Sequence, residues 1–209
     1  MSEIIKIGPY HKIHLEPEVY EVKVANGKIT EVSIEQGFAH RGIEKLLESK
    51  TLKQGVLLAE RVCGLCSQAH SQAYCTAVEN ALGLEIPKRA DYIRTLAFEL
   101  DRLHSHFMWF VLLFHTLHDT EGFSRLLNER EKLMDLIEVL FGNRVHFSVN
   151  TLGGVKRNVS EESLSIVKRL LPELKELADF TSEKLENHKQ KLTSIGLLSK
   201  EKARAYGVV

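Results

Sequence analysis

The sequence predicts an α+β fold that is mostly α, with a small N-terminal antiparallel β-sheet followed by a bundle of long helices. Apolar and polar residues alternate along the first part of the chain, which is the period of half-buried strands. From Leu57 onward apolar residues recur every three or four positions, the period of amphipathic helices. We therefore predict a β region over 1–36 and a helical bundle over 37–209.

The predicted strands cover 4–7, 19–25 and 28–34. The last two are separated by Asn26-Gly27, and both residues tolerate the positive φ that a two-residue type I′ hairpin turn requires. The pattern therefore predicts an antiparallel hairpin in this region. The segment "QGFAHRG" then interrupts the strand pattern with glycines.

The first predicted helix carries the cysteines and runs from Leu57 to Leu82, with Gly83 as its C-terminal stop. Pro87 precedes a second helix over about 89–118, which would be roughly 45 Å long at 1.5 Å per residue. Both helices are predicted from their apolar spacing.

A third predicted helix covers about 123–141, and a glycine-rich connection, "GNRVHFSVNTLGGVKRN", follows it. Ser160 is a good N-cap for the last helix because two glutamates follow it in the first turn. That helix is predicted to run to about residue 193, with Pro172 bending it.

Charge and cysteine content exclude several classes of protein. Lys plus Arg and Asp plus Glu number 28 each, so no net charge draws the chain to nucleic acid or to an anionic membrane surface. Three cysteines do not form a disulfide framework, and the N-terminus lacks the pattern of a secretory signal, so we expect a reducing, cytoplasmic setting. The apolar run 107–117 is about half of the ~20 residues that a membrane-spanning helix requires.

The segment "ERVCGLCSQAH" is the strongest candidate for a functional site. On a helix, Cys63, Cys66 and His70 fall within about 60° of one another, so both thiolates could hold one soft metal ion. The alternative is that one or both are small core residues, as we expect for Cys75. A closed zinc site lacks its remaining Cys and His ligands here, and the helical surroundings disfavour a thioredoxin-like redox pair.

"RVCGLCSQAH" resembles the first cysteine motif of the large subunit of [NiFe]-hydrogenases. The wider pattern is similar to the membrane-bound energy-converting (Ech-type) branch, which is related to the quinone-site large subunit of respiratory complex I. The motifs that carry this resemblance run through essentially the whole chain: "GPYH", "LEPE", "GFAHRGIEKLLE", "RADYIRTLAFELDRLHSHFMW" and "EREKLMDLIEVLFGNRVHFSVNTLGGVKR".

The resemblance implies a nickel–iron centre held by four cysteines, two from this motif and two from a C-x-x-C near the C-terminus. Cys63 then corresponds to a terminal nickel ligand and Cys66 to the bridging thiolate, and His70 is expected to hydrogen-bond near the bridging sulfur. The sequence contains no second C-x-x-C. We therefore expect the N-terminal half of a longer subunit, a split subunit, or a lost centre, and the chain alone should not hold the bimetallic site.

The resemblance also assigns roles near the N-terminus. Glu16 matches a glutamate linked to proton transfer, and His11 matches a histidine that faces quinone in the complex I branch. His40 and Arg41 match a loop near the partner subunit's iron–sulfur cluster. The alternatives are a solvated acid before a strand for Glu16, and a polar turn with Arg41 paired to Glu44 for the second pair.

Four histidines on the second helix offer no metal site in this interpretation. We expect them to be hydrogen-bonded core or interface residues, and the resemblance gives them no ligand role: His104, His106, His115 and His118.

These observations favour the catalytic large subunit of an energy-converting hydrogenase, which reduces protons reversibly to hydrogen and couples this to ion translocation. The implied partners are a small subunit with a [4Fe–4S] cluster, ferredoxin as electron donor, and the other subunits of a complex bound at the cytoplasmic side of the membrane. The alternatives are a complex I-like subunit that reduces quinone or sulfur without a nickel–iron centre, and a non-catalytic scaffold or fragment.

Overall fold

The computed structural model describes residues 2–12, 14, 16–193 and 196–208. Two compact units make up the chain: the first ends at Glu48 and the second begins at Ser49. Each unit has its own secondary structure, and each is described by itself below.

The first unit is a three-stranded antiparallel sheet in the order β1-β2-β3, followed by helix α1. Its elements are β1 (Ser2–Ile7), β2 (Val19–Ala25), β3 (Lys28–Glu35) and α1 (Ile43–Glu48). Asn26 and Gly27 have φ angles of 52° and 71°, so the predicted hairpin turn is confirmed. Strand alternation places Val22 and its partner Val32 on one face, and the ion-paired Lys23 and Glu31 on the other.

The second unit consists of helices and one short hairpin. Its elements are α2 (Leu52–Glu60), α3 (Ser67–Leu82), α4 (Lys88–Thr116), α5 (Thr120–Phe141), β4 (Asn150–Thr151), β5 (Gly154–Val155), α6 (Glu161–Asn187), α7 (Lys189–Leu192) and α8 (Lys200–Ala205). The predicted order of a small antiparallel sheet followed by long helices is therefore confirmed.

Helices α4, α5 and α6 enclose the main hydrophobic core of the second unit. Phe107, Val111 and Phe114 of α4 are buried against Leu133 and Ile137 of α5. Burying such side chains contributes about 1.5–3 kcal/mol each, which is why these long helices stay together. In the described part of the chain, no helix is both long enough and apolar enough to cross a membrane.

The helix ends follow from identifiable caps. The chain leaves α3 through Gly83 with φ of 64°, and the Ser160 side chain accepts the Ser163 N–H at the start of α6, as predicted. Helix α5 begins earlier than predicted because Asp119 is its N-cap and accepts the Gly122 N–H at 2.9 Å. These caps fix where the long helices begin and end.

The prediction of one continuous cysteine-bearing helix from Leu57 to Leu82 is wrong. Helix α2 ends at Glu60, α3 begins at Ser67, and the intervening residues 61–66 form a loop. The backbone N–H groups of Leu65 and Cys66 point at the Cys63 sulfur, so they are not available to continue a helical hydrogen-bond ladder. Apolar spacing alone did not reveal this interruption.

The glycine-rich connection after α5 contains the β4-β5 hairpin, which the sequence did not predict. A buried ion pair anchors this hairpin. Arg94 donates to both carboxylate oxygens of Glu79, at 2.8 and 2.7 Å, and to the carbonyl oxygens of Thr151 and Gly154. Glu79 also accepts the Gly153 N–H at 2.8 Å. Helices α3 and α4 and the hairpin therefore meet at one guanidinium group.

Replacing Glu79 by Ala should lower the free energy of unfolding by about 3–5 kcal/mol, because it leaves the buried Arg94 charge unpaired. Urea denaturation followed by circular dichroism measures this change. Glu48→Ala, which removes an exposed ion pair with Lys45, is the matched control and should change stability by at most about 1 kcal/mol. Equal effects of the two substitutions would contradict the role assigned to Glu79.

The same pair predicts a pH dependence. Hydrogen bonds from Arg94 hold the pKa of Glu79 below its usual range, although burial acts in the opposite direction. The stabilisation is therefore complete above the usual pKa of about 4.3 and is lost as the pH falls through the lower folded-state pKa. The stability difference between the wild type and Glu79→Gln should shrink between about pH 5 and 3, and a constant difference would argue against this linkage.

Candidate metal centre

The loop between α2 and α3 brings together the three residues that the sequence singled out. The Sγ atoms of Cys63 and Cys66 and a ring nitrogen of His70 all lie within 4.8 Å of one another. All three residues are partly buried. The search of the described residues found this group as the one cluster of His, Cys, Asp or Glu that could hold a metal ion.

Backbone geometry directs hydrogen bonds at the first sulfur. The N–H groups of Leu65 and Cys66 both donate to Cys63 Sγ at 3.3 Å. Such donors stabilise negative charge on sulfur, so the turn favours a thiolate at Cys63. Thiolates are the donors that soft metal ions prefer, and a compact turn holding two of them suits such an ion.

The two thiols have opposite shifts in pKa. Burial raises the pKa of Cys66 to about 12, helped by its hydrogen bond to Cys63 and by the negative charges of Cys63 and Asp101. Burial also acts to raise the pKa of Cys63, but hydrogen bonds from the Cys66 thiol and from the backbone outweigh it, and the pKa is lowered. Without a metal, the pair therefore holds its first negative charge on Cys63.

A small pocket of about 140 Å³ opens beside Cys66. Its walls include Ala69 of α3 and Asp101, Ser105 and His106 of α4. Asp101 is only 2% exposed, and its Oδ2 accepts the Ala69 N–H at 3.4 Å. A buried carboxylate therefore stands at the start of the helix that follows the second cysteine.

The loop is also held from its other end by Glu60, the last residue of α2. Its carboxylate is buried and accepts the N–H of Ser148 at 2.6 Å and the Ser148 hydroxyl at 3.0 Å. Ser148 has a φ of 53°, which is unfavourable for a residue other than glycine. Both hydrogen bonds to Glu60 hold Ser148 in that conformation.

The first turn of α3 is fixed by a second set of buried amide contacts. Gln68 donates to Asn150 Oδ1 at 3.2 Å, and Asn150 donates to the Ser71 hydroxyl at 2.8 Å. These contacts attach the helix start to strand β4. The segments on both sides of the cysteine loop are therefore hydrogen-bonded to the connection that follows α5.

The remaining predicted site residues lie in the first unit. Glu16 is exposed and lines a pocket of about 370 Å³ together with His11 and His14. His40 and Arg41 are exposed and precede α1. The roles suggested for Glu16, His11, His40 and Arg41 stay predictions.

Sequence reasoning missed Asp101, Glu60 and Arg130 as parts of the site's surroundings. Asp101 and His104 are three apart on the buried face of α4, where apolar residues are the rule, and this was the signal that could have identified them. His104 is buried and hydrogen-bonded, as expected. Cys75 is fully buried, also as expected.

Fold and site together define a helical protein with a two-cysteine metal-binding loop, the features of a redox metalloprotein subunit. A family profile described as nickel-dependent hydrogenase matches residues 41–161, and a profile for the 49 kDa subunit of respiratory-chain NADH dehydrogenase matches 119–209. The first match spans more than half of the chain. This protein belongs to the nickel-dependent hydrogenase family.

Curated relatives come from both branches of this resemblance. The chain is 35% identical to hydrogenase-4 component G of Escherichia coli (strain K12), over 97% of this chain and 37% of that protein. It is 32% identical to the membrane-bound hydrogenase subunit alpha of Pyrococcus furiosus, over 98% of this chain and 49% of that protein. The chain therefore spans less than half of the length of these relatives.

A solved structure with a similar fold is the membrane-bound sulfane sulfur reductase, described as an archaeal respiratory membrane complex. It superposes with a TM-score of 0.74 at 24% identity, over 98% of this chain and 52% of that one. At this level of identity the likeness shows the fold alone.

The loop should bind a soft divalent ion even without the rest of a bimetallic site. We expect one Cd²⁺ per chain, seen as a thiolate-to-metal absorption band, and a loss of affinity of more than about tenfold in Cys63→Ser and Cys66→Ser. Cys75→Ala is the matched control because Cys75 is fully buried away from this group. Equal binding by all three variants would show that the loop thiols are not the ligands.

Proposed function

We propose that this chain provides the first half of the metal site in the catalytic large subunit of an energy-converting [NiFe]-hydrogenase. In this proposal the enzyme reduces protons reversibly to hydrogen and couples the reaction to ion translocation. Electrons come from reduced ferredoxin through a [4Fe–4S] cluster in a partner small subunit. Two further thiolates, from a C-x-x-C outside these residues, complete the ligand set.

The observation that carries the proposal is the meeting of Cys63, Cys66 and His70 within 4.8 Å, in a chain of the nickel-dependent hydrogenase family. The donor set fits a nickel–iron centre, because two sulfur atoms on one short loop suit soft metal ions. When bound, such a centre would supply the redox chemistry of hydrogen. Cys63 and Cys66 would hold it.

The other residues of the chain would serve this centre through hydrogen bonds and proton movement. His70 would hydrogen-bond near the bridging sulfur of Cys66 and tune its basicity. Glu16 would accept and release protons, because a carboxylate can be tuned for this by its surroundings. His11, His40 and Arg41 would lie toward partner sites of the assembled complex.

The proposed setting is a peripheral subunit at the cytoplasmic side of a membrane-bound complex. The support is the similarity to the Pyrococcus furiosus membrane-bound hydrogenase subunit. Partner subunits would supply the membrane attachment and the iron–sulfur cluster.

A second candidate is a complex I-like subunit that transfers electrons to quinone or sulfur and assembles no nickel–iron centre. It is favoured by the match of residues 119–209 to the 49 kDa subunit profile and by the sulfur reductase with a similar fold. A non-catalytic scaffold role is the remaining alternative. The retained pair Cys63 and Cys66 favours the first proposal over both.

Metal quantitation on the intact purified complex separates these candidates. We expect nickel and iron in the wild type, and a drop in nickel of at least about tenfold in Cys63→Ser and Cys66→Ser with the subunits still assembled. Cys75→Ala should keep its nickel, since this buried residue lies outside the metal-ligand group. A wild-type complex that transfers electrons but contains no nickel would establish the second candidate instead.

A further inference from the structure

Helix α3 begins at a cysteine whose side chain does not cap it. Cys66 is the N-cap residue and makes no side-chain cap hydrogen bond. The first N–H groups of any helix lack partners within the helix, and a side chain at the N-cap position usually provides one. A cysteine that binds a metal cannot serve this purpose, so the helix needs an acceptor from elsewhere.

Asp101 provides that acceptor from another helix. Its Oδ2 receives the N–H of Ala69, the third residue of α3, which is the group that an N-cap side chain would ordinarily bind. Asp101 lies 32 positions further along the chain, in the middle of α4. We propose that Asp101 is a positioning residue for the metal site: it caps α3 in place of Cys66 and so leaves the Cys66 sulfur free for the metal.

A buried relay holds the Asp101 carboxylate in place. His104 Nε2 lies 3.4 Å from Asp101 Oδ1, and Arg130 of α5 places its Nη2 3.0 Å from His104 Nδ1. Arginine can only donate, so His104 Nδ1 accepts and the ring proton is on Nε2, facing the carboxylate. Arg130 also donates to the His104 carbonyl oxygen at 3.1 Å, which locks the two helices in register.

The same carboxylate places a negative charge beside both thiols. Asp101 and Cys66 line one small pocket, and Arg102, Ser105 and His106 of α4 face the same space. A negative charge close to two sulfur donors favours a bound cation over an empty site. Asp101 therefore acts on the metal through both the helix cap and its charge.

This inference rests on the proposed function, and the test uses the intact purified complex. Two variants separate the contributions of Asp101. Asp101→Leu removes the acceptor and the charge. Asp101→Asn keeps one oxygen for the Ala69 N–H but turns its amide group toward the Nε2–H of His104, where two donors then meet. Asp91→Leu and Asp91→Asn, at an exposed aspartate of the same helix, are the matched controls.

Two readouts are measured for each variant: nickel content and hydrogen–deuterium exchange of peptides covering the start of α3. For Asp101→Leu we expect nickel to fall by about tenfold or more, as for other residues that orient metal ligands, and exchange to speed up by about fivefold or more. For Asp101→Asn we expect about two- to threefold changes in the same directions. Both Asp91 variants should match the wild type.

Several outcomes would overturn the inference. Nickel content and exchange unchanged in Asp101→Leu would do so, as would a loss of nickel with no change in exchange, or faster exchange with nickel retained. If Asp101→Leu does not assemble, wild-type values for Asp101→Asn would still overturn it. A wild-type complex without nickel would count against the proposed function, whereas the exchange data would still decide whether Asp101 caps α3.

Discussion

Helix α4 carries three polar side chains on its buried face, and the second unit is organised around the need to pair them. Arg94, Asp101 and His104 are each almost fully buried, and a buried polar or charged group without a partner is strongly destabilising. Arg94 pairs with α3 and the β4-β5 hairpin, Asp101 with the start of α3, and His104 with Arg130 of α5. These contacts fix α3 and α5 relative to α4 more specifically than apolar packing could.

The cysteine loop depends on this arrangement. Two thiols can be held close together only if the chain on both sides of the loop is fixed. Glu60 fixes the end of α2 through Ser148, and Asp101 fixes the start of α3 through Ala69. The loop between them is short, and its backbone N–H groups point at Cys63. The rigidity of the site thus comes from buried hydrogen bonds of neighbouring elements.

Much of the fold follows from the sequence because its signals are local. The Asn26-Gly27 turn, the Gly83 stop and the Ser160 cap were predicted correctly from residue type and position. The break between α2 and α3 was not, because the apolar period continues through it while hydrogen bonds to sulfur interrupt the backbone. The carboxylate of Asp101 was missed because its partner is 32 residues away, and no local pattern encodes that contact.

The central claim is that Cys63 and Cys66 together bind one side of a metal centre in the assembled complex. Crystallography of the intact complex with data collected at the nickel absorption edge tests it most directly. We predict an anomalous peak bonded to both Sγ atoms, at a distance of about 2.3 Å, as is usual for first-row metal–thiolate bonds. A map in which both thiols contact only protein side chains, with no peak beside them, would contradict the claim.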